Sequence, residues 1–127
     1  MKKILMVDDE ADQIYTMKTL LEDNSDEYEL IGVENADKCL QILENGEIPD
    51  LIILDIMMPR ITGWELFDAI KKNPEWKSIP IVFLTARTDE VAVNAGRFLG
   101  DAFINKPYNT DEILKVIKEK TDKKQLF

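Results

Sequence analysis

Three aspartates carry the clearest chemical signal in this sequence. Asp8 and Asp9 follow one apolar run, and Asp55 closes another, "LIIL" at 51–54. An ionised carboxylate beside a core costs free energy unless something pairs with it, so Asp55 is either turned to water or held there for chemistry. Three carboxylates gathered at one point repel one another unless a hard dication lies among them, and Mg²⁺ prefers such oxygen ligands. If the fold brings them together, the sequence therefore predicts a Mg²⁺ site.

Two further polar residues stand at the ends of apolar runs. Thr85 follows the run 79–84, and Lys106 follows the short run 102–104. Each has an ordinary interpretation alone, because threonine is common in strands and lysine is usually on the surface. In open parallel sheets the functional groove lies at the carboxyl ends of the strands. The combination of these residues with the aspartates therefore favours a functional site at that edge.

The elements that must position these residues alternate along the chain. Five apolar runs are typical of buried strands, and five stretches between and after them have helical spacing. The alternation predicts an α/β fold, a doubly wound five-stranded parallel sheet with five helices, because parallel neighbours need crossover helices. The predicted strands are 4–7, 28–33, 51–54, 79–84 and 102–104, and the predicted helices are 11–22, 36–44, 64–72, 89–98 and 110–120.

The composition suits one intracellular domain. With 127 residues, 45% of them hydrophobic, we expect a single domain over 1–120 and a polar tail over 121–127. The formal net charge of −9 repels nucleic acid and anionic lipid, so we expect neither as a partner. There is no signal peptide or stretch of transmembrane length, and Cys39 is the one cysteine, so we predict a cytoplasmic protein with Cys39 buried. The lack of histidine excludes Ser-His-Asp and Cys-His nucleophiles and the usual zinc sites.

Four motifs give the chain a close family resemblance. They are "VDDE" at 7–10, "DIMMPRITG" at 55–63, "TAR" at 85–87 and "KP" at 106–107. In this order and spacing they resemble the response regulator receiver domain of two-component and phosphorelay signalling. Within that family the chain resembles a CheY-like stand-alone receiver. The resemblance covers essentially the whole chain and implies the flavodoxin-like strand order 2-1-3-4-5.

The resemblance also implies roles for the acidic residues. Asp55 is expected to be the phosphoacceptor. Asp9 is expected to bind Mg²⁺ directly, Asp8 to bind it through water, and the backbone carbonyl of Met57 to be a further ligand. An aspartate carboxylate can attack phosphorus once the phosphoryl charge is neutralised, and a metal ion with one ammonium group supplies that.

Further residues are expected to sense the phosphoryl group. By resemblance, Thr85 hydrogen-bonds it, Lys106 pairs with it, and Pro107 aims the lysine through a cis peptide bond. The aromatic Phe103 is expected to rotate as Thr85 moves, which changes the face made by the fourth helix, fifth strand and fifth helix. A plain core role for Phe103 is the alternative. Gly63 is expected to have a conformation that a side chain would hinder in the loop after Asp55, or a simple turn role.

The same resemblance predicts the partners. A chain without histidine needs its phosphohistidine donor on another protein, a sensor histidine kinase or a phosphotransfer protein. We expect an unidentified downstream protein target, a monomer or weak phosphorylation-dependent dimer, and no enzymatic activity beyond the domain's own phosphorylation and dephosphorylation. Candidate partner contacts are Trp76, interpreted as exposed, and Ile14 or Tyr15 on the first helix.

Three other functions would fit parts of this sequence. A flavodoxin-type redox carrier needs a phosphate cradle after the first strand, where the acids at 8–10 would repel the flavin phosphate. A haloacid-dehalogenase-type phosphatase has its two acids separated by one residue, whereas Asp8 and Asp9 are adjacent. A receiver that binds proteins without being phosphorylated remains the open alternative.

Overall fold

The structure is a computed structural model that describes residues 1–56, 63–85, 102–105 and 108–122. The predicted helix over 89–98 lies outside these residues. None of the described helices has both the length and the apolar character needed to span a lipid bilayer. The described elements are β1 (Lys2–Val7), α1 (Ala11–Asn24), β2 (Tyr28–Val33), α2 (Ala36–Glu44), β3 (Leu51–Asp55), α3 (Gly63–Lys72), β4 (Ile81–Thr85), β5 (Ala102–Asn105) and the C-terminal helix (Thr110–Asp122).

The strands form one sheet in the order β2-β1-β3-β4-β5, and every neighbouring pair is parallel. The chain thus starts near the middle of the sheet, moves to one edge, and crosses back under β1 to build the other half. The predicted doubly wound parallel α/β fold is confirmed. Its switch point lies between β1 and β3, where the strand order reverses and where ligand sites form in sheets of this kind.

Alternate residues of the central strands face two separate apolar cores. In β1, Leu5 and Val7 join the core on the side of α2 and α3, whereas Ile4 and Met6 join the core on the side of α1 and the C-terminal helix. All of these side chains are buried, because helices cover both faces of the sheet. This two-sided burial explains why the strands appear in the sequence as continuous apolar runs.

The C-terminal helix extends two residues beyond its predicted end at Lys120. Thr121 is buried, and its hydroxyl donates to the backbone oxygen of Ile117 at 2.8 Å. Lys2 Nζ donates to Asp122 Oδ1 at 2.7 Å, which ties the first strand to the last turn of the helix. These contacts between distant parts of the chain stabilise a turn that polar sequence alone does not predict.

Trp76 is buried, so its interpretation as an exposed partner contact was wrong. Only 8% of its surface is accessible, and it packs in the core on the side of α2 and α3. The segment between α3 and β4 folds back on itself: the backbone N–H of Trp76 donates to the backbone oxygen of Asn73 at 3.0 Å, and the backbone N–H of Ile79 donates to the backbone oxygen of Trp76 at 3.0 Å. This turn directs the indole of Trp76 into the core, although the residues on either side of it in the sequence, Glu75 and Lys77, are charged.

One edge of the sheet is formed by β2, and its surroundings are acidic. The side chain of Glu29 within the strand is exposed, as are those of Glu27 before it and Glu34 after it. Gly32 lies beside α1, since a Cβ built there would overlap Ile14 Cγ2. The absence of a side chain at this position lets α1 pack closely on the edge strand.

Cys39 is fully buried in α2, as predicted, and burial raises its pKa to about 12 from an ordinary 9.0. That shift lowers the thiolate fraction at pH 8 about 1,000-fold, and the thiolate is the reactive form. We expect the folded protein to react with a thiol reagent such as dithionitrobenzoate at least about 1,000-fold more slowly than the urea-unfolded chain. A native rate within tenfold of the unfolded rate would contradict this burial.

Candidate functional site

Three carboxylates meet at the carboxyl edge of the sheet. Val7 pairs with Leu54 across β1 and β3, so Asp8 and Asp55 are the next residues along two neighbouring strands. Asp8, Asp9 and Asp55 each offer a carboxylate oxygen, and these three oxygens lie within 4.8 Å of one another. The structure therefore brings together the three aspartates that the sequence predicted to share a site.

The two adjacent aspartates of this group have different surroundings. Asp8 is fully buried; its N–H donates to the Val33 oxygen at 3.1 Å, and its Oδ1 accepts from the Glu10 N–H at 3.0 Å. Asp9 is exposed. Asp8 is thus fixed by backbone contacts on both sides, while Asp9 faces the solvent from which a cation would arrive.

The backbone after Asp55 is held between β4 and α3. The Ile56 N–H donates to the Leu84 oxygen at 3.1 Å, and the Ile56 oxygen accepts from the Gly63 N–H at 3.1 Å. Asp55 itself is 6% exposed. The carboxylate of Asp55 therefore lies at the edge of the core. The residue that follows it, Ile56, is hydrogen-bonded to β4 on one side and to α3 on the other.

Gly63 begins α3 rather than lying in the loop after Asp55. The described glycine with a left-handed backbone is Gly46, which follows the end of α2 and has a φ of 88°. At Gly63 the constraint is space, because a Cβ there would lie 2.7 Å from the Asp55 oxygen and 2.8 Å from Ile56 Cα. A side chain at position 63 would therefore be hindered by nearby backbone atoms.

The donor set fits a hard dication. Mg²⁺ binds oxygen at 2.0–2.1 Å in an octahedron, so opposite ligands are about 4.2 Å apart. Neighbouring ligands of such an ion are about 3 Å apart, so carboxylate oxygens that already lie within 4.8 Å of one another need to move by only about 1 Å each to reach a shared ion. Hard oxygen donors without nitrogen or sulfur favour Mg²⁺, Mn²⁺ or Ca²⁺ over softer metals.

The other predicted residues are only partly described. Thr85 ends β4, one residue beyond the Leu84 that pairs with Asp55, so its backbone reaches the same edge of the sheet. The backbone of Phe103 lies in β5, in register with Phe83. The side chains of Thr85 and Phe103 are outside the described structure, and so are Met57, Lys106 and Pro107 altogether.

Tyr108 is a residue near the site that sequence analysis missed. It is half-buried and packs against the core on the side of α1 and the C-terminal helix. Burial raises the pKa of its phenol above the ordinary value, and the negative charge of Asp8 raises it further. The signal available in the sequence was its place directly after the Lys106-Pro107 motif, where the chain leaves the functional edge.

The family model of the response regulator receiver domain matches residues 4–118. The chain belongs to this family. The match begins within β1 and ends within the C-terminal helix, and it makes the receiver domain a component of two-component systems. In a parallel sheet of this kind, functional sites form at the carboxyl ends of the strands, and this is the edge at which the three carboxylates meet.

Several known proteins are similar to this receiver domain. The response regulator Rre1 of Synechocystis is 32% identical over 120 residues, covering 91% of this chain and 49% of Rre1. Protein PilG of Pseudomonas aeruginosa is 30% identical over 117 residues, covering 91% of this chain and 84% of PilG. The receiver domain thus spans about half the length of Rre1 but most of PilG.

Solved structures agree with the sequence relatives. The signal receiver domain of a signal transduction histidine kinase from Syntrophus aciditrophicus is 29% identical, with a TM-score of 0.85, and the match covers 96% of this chain and 91% of that one. The receiver domain therefore has the flavodoxin-like α/β fold that its sequence predicted.

Proposed function

We propose that the chain is the phosphoacceptor of a two-component or phosphorelay system, with Asp55 taking a phosphoryl group from a phosphohistidine. The main support is the convergence of three carboxylates within 4.8 Å at the carboxyl edge of a parallel sheet. In the transfer, an oxygen of Asp55 forms a bond to phosphorus as the donor's N–P bond breaks, and that electron pair stays with the donor imidazole. The only reactions that the domain would catalyse are its own phosphorylation and dephosphorylation.

Neutralisation of charge is the main requirement of this transfer, because the nucleophile and the phosphoryl group are both anionic. Asp9 would hold Mg²⁺ directly and Asp8 would hold it through water, with Asp55 and the carbonyl of Met57 as further ligands. Bound Mg²⁺ would offset the charge of the carboxylates and of the phosphoryl oxygens. Lys106 would supply an ammonium group beside the phosphoryl group. No general base is needed, because the nucleophilic carboxylate carries no proton to remove.

The phosphorylated state would be detected through the neighbouring strands. The Thr85 hydroxyl would donate to a phosphoryl oxygen, and Phe103 would rotate into the space that Thr85 leaves. Because phenylalanine has no hydroxyl, its two orientations differ only in apolar burial. The surface that changes would be the one made by the predicted helix 89–98, β5 and the C-terminal helix, with Pro107 orienting Lys106.

The partners follow from this chemistry. The chain has no histidine, so the donor would be a sensor histidine kinase or a phosphotransfer protein, and the reader would be a downstream protein. A net charge of −9 disfavours a nucleic-acid or anionic-membrane partner. We place this exchange in the cytoplasm, with the domain a monomer or a weak phosphorylation-dependent dimer.

A small phosphodonor tests the proposal directly. The protein is incubated with acetyl phosphate and Mg²⁺, and its intact mass is recorded, with an EDTA-treated sample in parallel. We expect one phosphoryl group per chain with Mg²⁺ and none with EDTA, because the carboxylates and the anionic donor repel one another without the cation.

A negative result must exclude donor preference. If acetyl phosphate adds nothing, the measurement is repeated with a phosphorylated histidine kinase as donor. Absence of transfer from both donors would refute the phosphoacceptor role and favour the receiver that binds proteins without phosphorylation.

A further inference from the structure

The start of α3 lies unusually close to the backbone of the proposed phosphoacceptor. A Cβ built on Gly63 would lie 2.7 Å from the Asp55 oxygen, 2.8 Å from Ile56 Cα and 3.3 Å from the Asp55 carbonyl carbon. All three are backbone atoms, which cannot give way by a change of rotamer. At Gly32, by contrast, the nearest atom belongs to a side chain, and at Gly46 the space is open.

The packing of α3 prevents it from moving away from this contact. Phe83 of β4 has its ring centroid 4.7 Å from that of Trp64 and 5.2 Å from that of Phe67. Leu66 and Ile70 are fully buried on the same helix. A methyl group at position 63 would therefore displace the Asp55–Ile56 peptide or disturb a tightly packed helix.

Displacement of that peptide would reach the carboxylates at once. Asp55 is the last residue of β3, and its side chain must stay within 4.8 Å of Asp8 and Asp9 if the three oxygens are to share one cation. Asp8 is fixed independently through β1 and β2. A shift of the Asp55–Ile56 peptide would move Asp55 while Asp8 stays in place, and it would therefore change the distances between the carboxylates.

We infer that Gly63 is a positioning residue for phosphoryl transfer: by lacking a side chain, it lets α3 set the position of the Asp55 backbone relative to Asp8 and Asp9. The inference rests on the proposed function, because the reaction that it positions is phosphorylation of Asp55. Misplacement of reacting groups by about 1 Å can lower a rate about 100-fold, so the expected effect is large.

The test compares Gly63→Ala with Gly46→Ala. Gly46→Ala strains a left-handed backbone far from the site but meets no atom within 4 Å, so it is a control for lost stability without a change at the site. Three quantities are measured on the folded fraction: the phosphorylation rate with acetyl phosphate and saturating Mg²⁺, the Kd for Mg²⁺, and the amide NMR shifts of Asp55 and Ile56.

We expect Gly63→Ala to lower the rate per folded molecule about 10- to 100-fold, weaken Mg²⁺ binding and shift both amides. Gly46→Ala is expected to change the rate less than twofold. A wild-type rate and Mg²⁺ affinity in folded Gly63→Ala would overturn the inference. If Gly63→Ala does not fold, Phe67→Leu loosens the same helix, and an unchanged rate in that variant would overturn it as well.

Failure of the proposed function can be recognised separately. If the wild-type protein accepts no phosphoryl group from either donor, the phosphoacceptor role is refuted while Mg²⁺ binding still reports on Gly63. In that case an equal Mg²⁺ affinity in wild type and Gly63→Ala would refute the positioning role, and a weaker affinity in Gly63→Ala would support it.

Discussion

An Asp55→Asn variant will take up no phosphoryl group from acetyl phosphate under conditions in which the wild-type chain is fully modified. The amide is close in size to the carboxylate but lacks its charge and nucleophilic oxygen, so the fold is retained while the chemistry is lost. Asp55 is 6% exposed at the end of β3, a position where an isosteric change disturbs little packing. Intact mass after a time course measures the loss.

The matched control is Asp50→Asn, directly before the start of the same strand. Asp50 Oδ2 accepts from the Lys3 N–H at 2.8 Å, a contact that an asparagine oxygen can also make. This variant carries the same chemical change and is expected to be phosphorylated at the wild-type rate. Full modification of Asp55→Asn would place the acceptor elsewhere, and peptide mapping would then examine Asp8 and Asp9.

The metal-free protein is expected to become more stable, by about 1 to 2 kcal/mol, when Asp9 is replaced by Asn. Two unit charges 4.8 Å apart repel by about 1 kcal/mol in water and by about 3.5 kcal/mol at an effective dielectric constant of 20. Asp9 is exposed, so its interactions lie toward the lower limit. Urea unfolding in EDTA measures the change as a higher midpoint with the same slope.

Added Mg²⁺ should reverse the order of the two proteins. A cation at a hundred times its Kd stabilises the form that binds it by about 2.7 kcal/mol, which exceeds the advantage expected for the metal-free variant, and Asp9→Asn removes one proposed direct ligand. The wild-type midpoint should therefore rise with Mg²⁺ while the variant midpoint stays nearly constant.

The control for net charge is Asp26→Asn, which removes one exposed acid outside the carboxylate group. It should keep the wild-type response to Mg²⁺. Destabilisation of metal-free Asp9→Asn would show that repulsion at this site is already compensated by the protein.

The sequence predicted the structure correctly where local signals or the strand topology alone determine it. β2 and α2 have their predicted bounds, because both are short elements whose ends carry strong local signals. Asn35 caps α2 by accepting from the Lys38 N–H at 2.8 Å, and Gly46 ends the helix. Convergence of Asp8 and Asp55 followed from parallel topology alone, since each comes directly after a strand residue in the same register.

Errors arose where distant parts of the chain determine the outcome. Trp76 stands between Glu75 and Lys77, so its neighbours suggested a surface position, but the turn after α3 places it in the core. A side chain at position 63 is hindered because the Asp55–Ile56 backbone lies close to it, and no local sequence pattern indicates that proximity. Tyr108 near Asp8 depends on the path of the chain after β5, and that path is a tertiary property.

The acidic surroundings of β2 also bear on aggregation. A strand at the edge of a sheet offers unpaired backbone groups to which a strand from another copy could add. Two copies that met in this way would bring together the exposed Glu27, Glu29 and Glu34 of both chains, and like charges across such a pair are repulsive. The same carboxylates that add to the net charge therefore oppose edge-to-edge association of two copies, an effect that lasts while they remain ionised and unscreened.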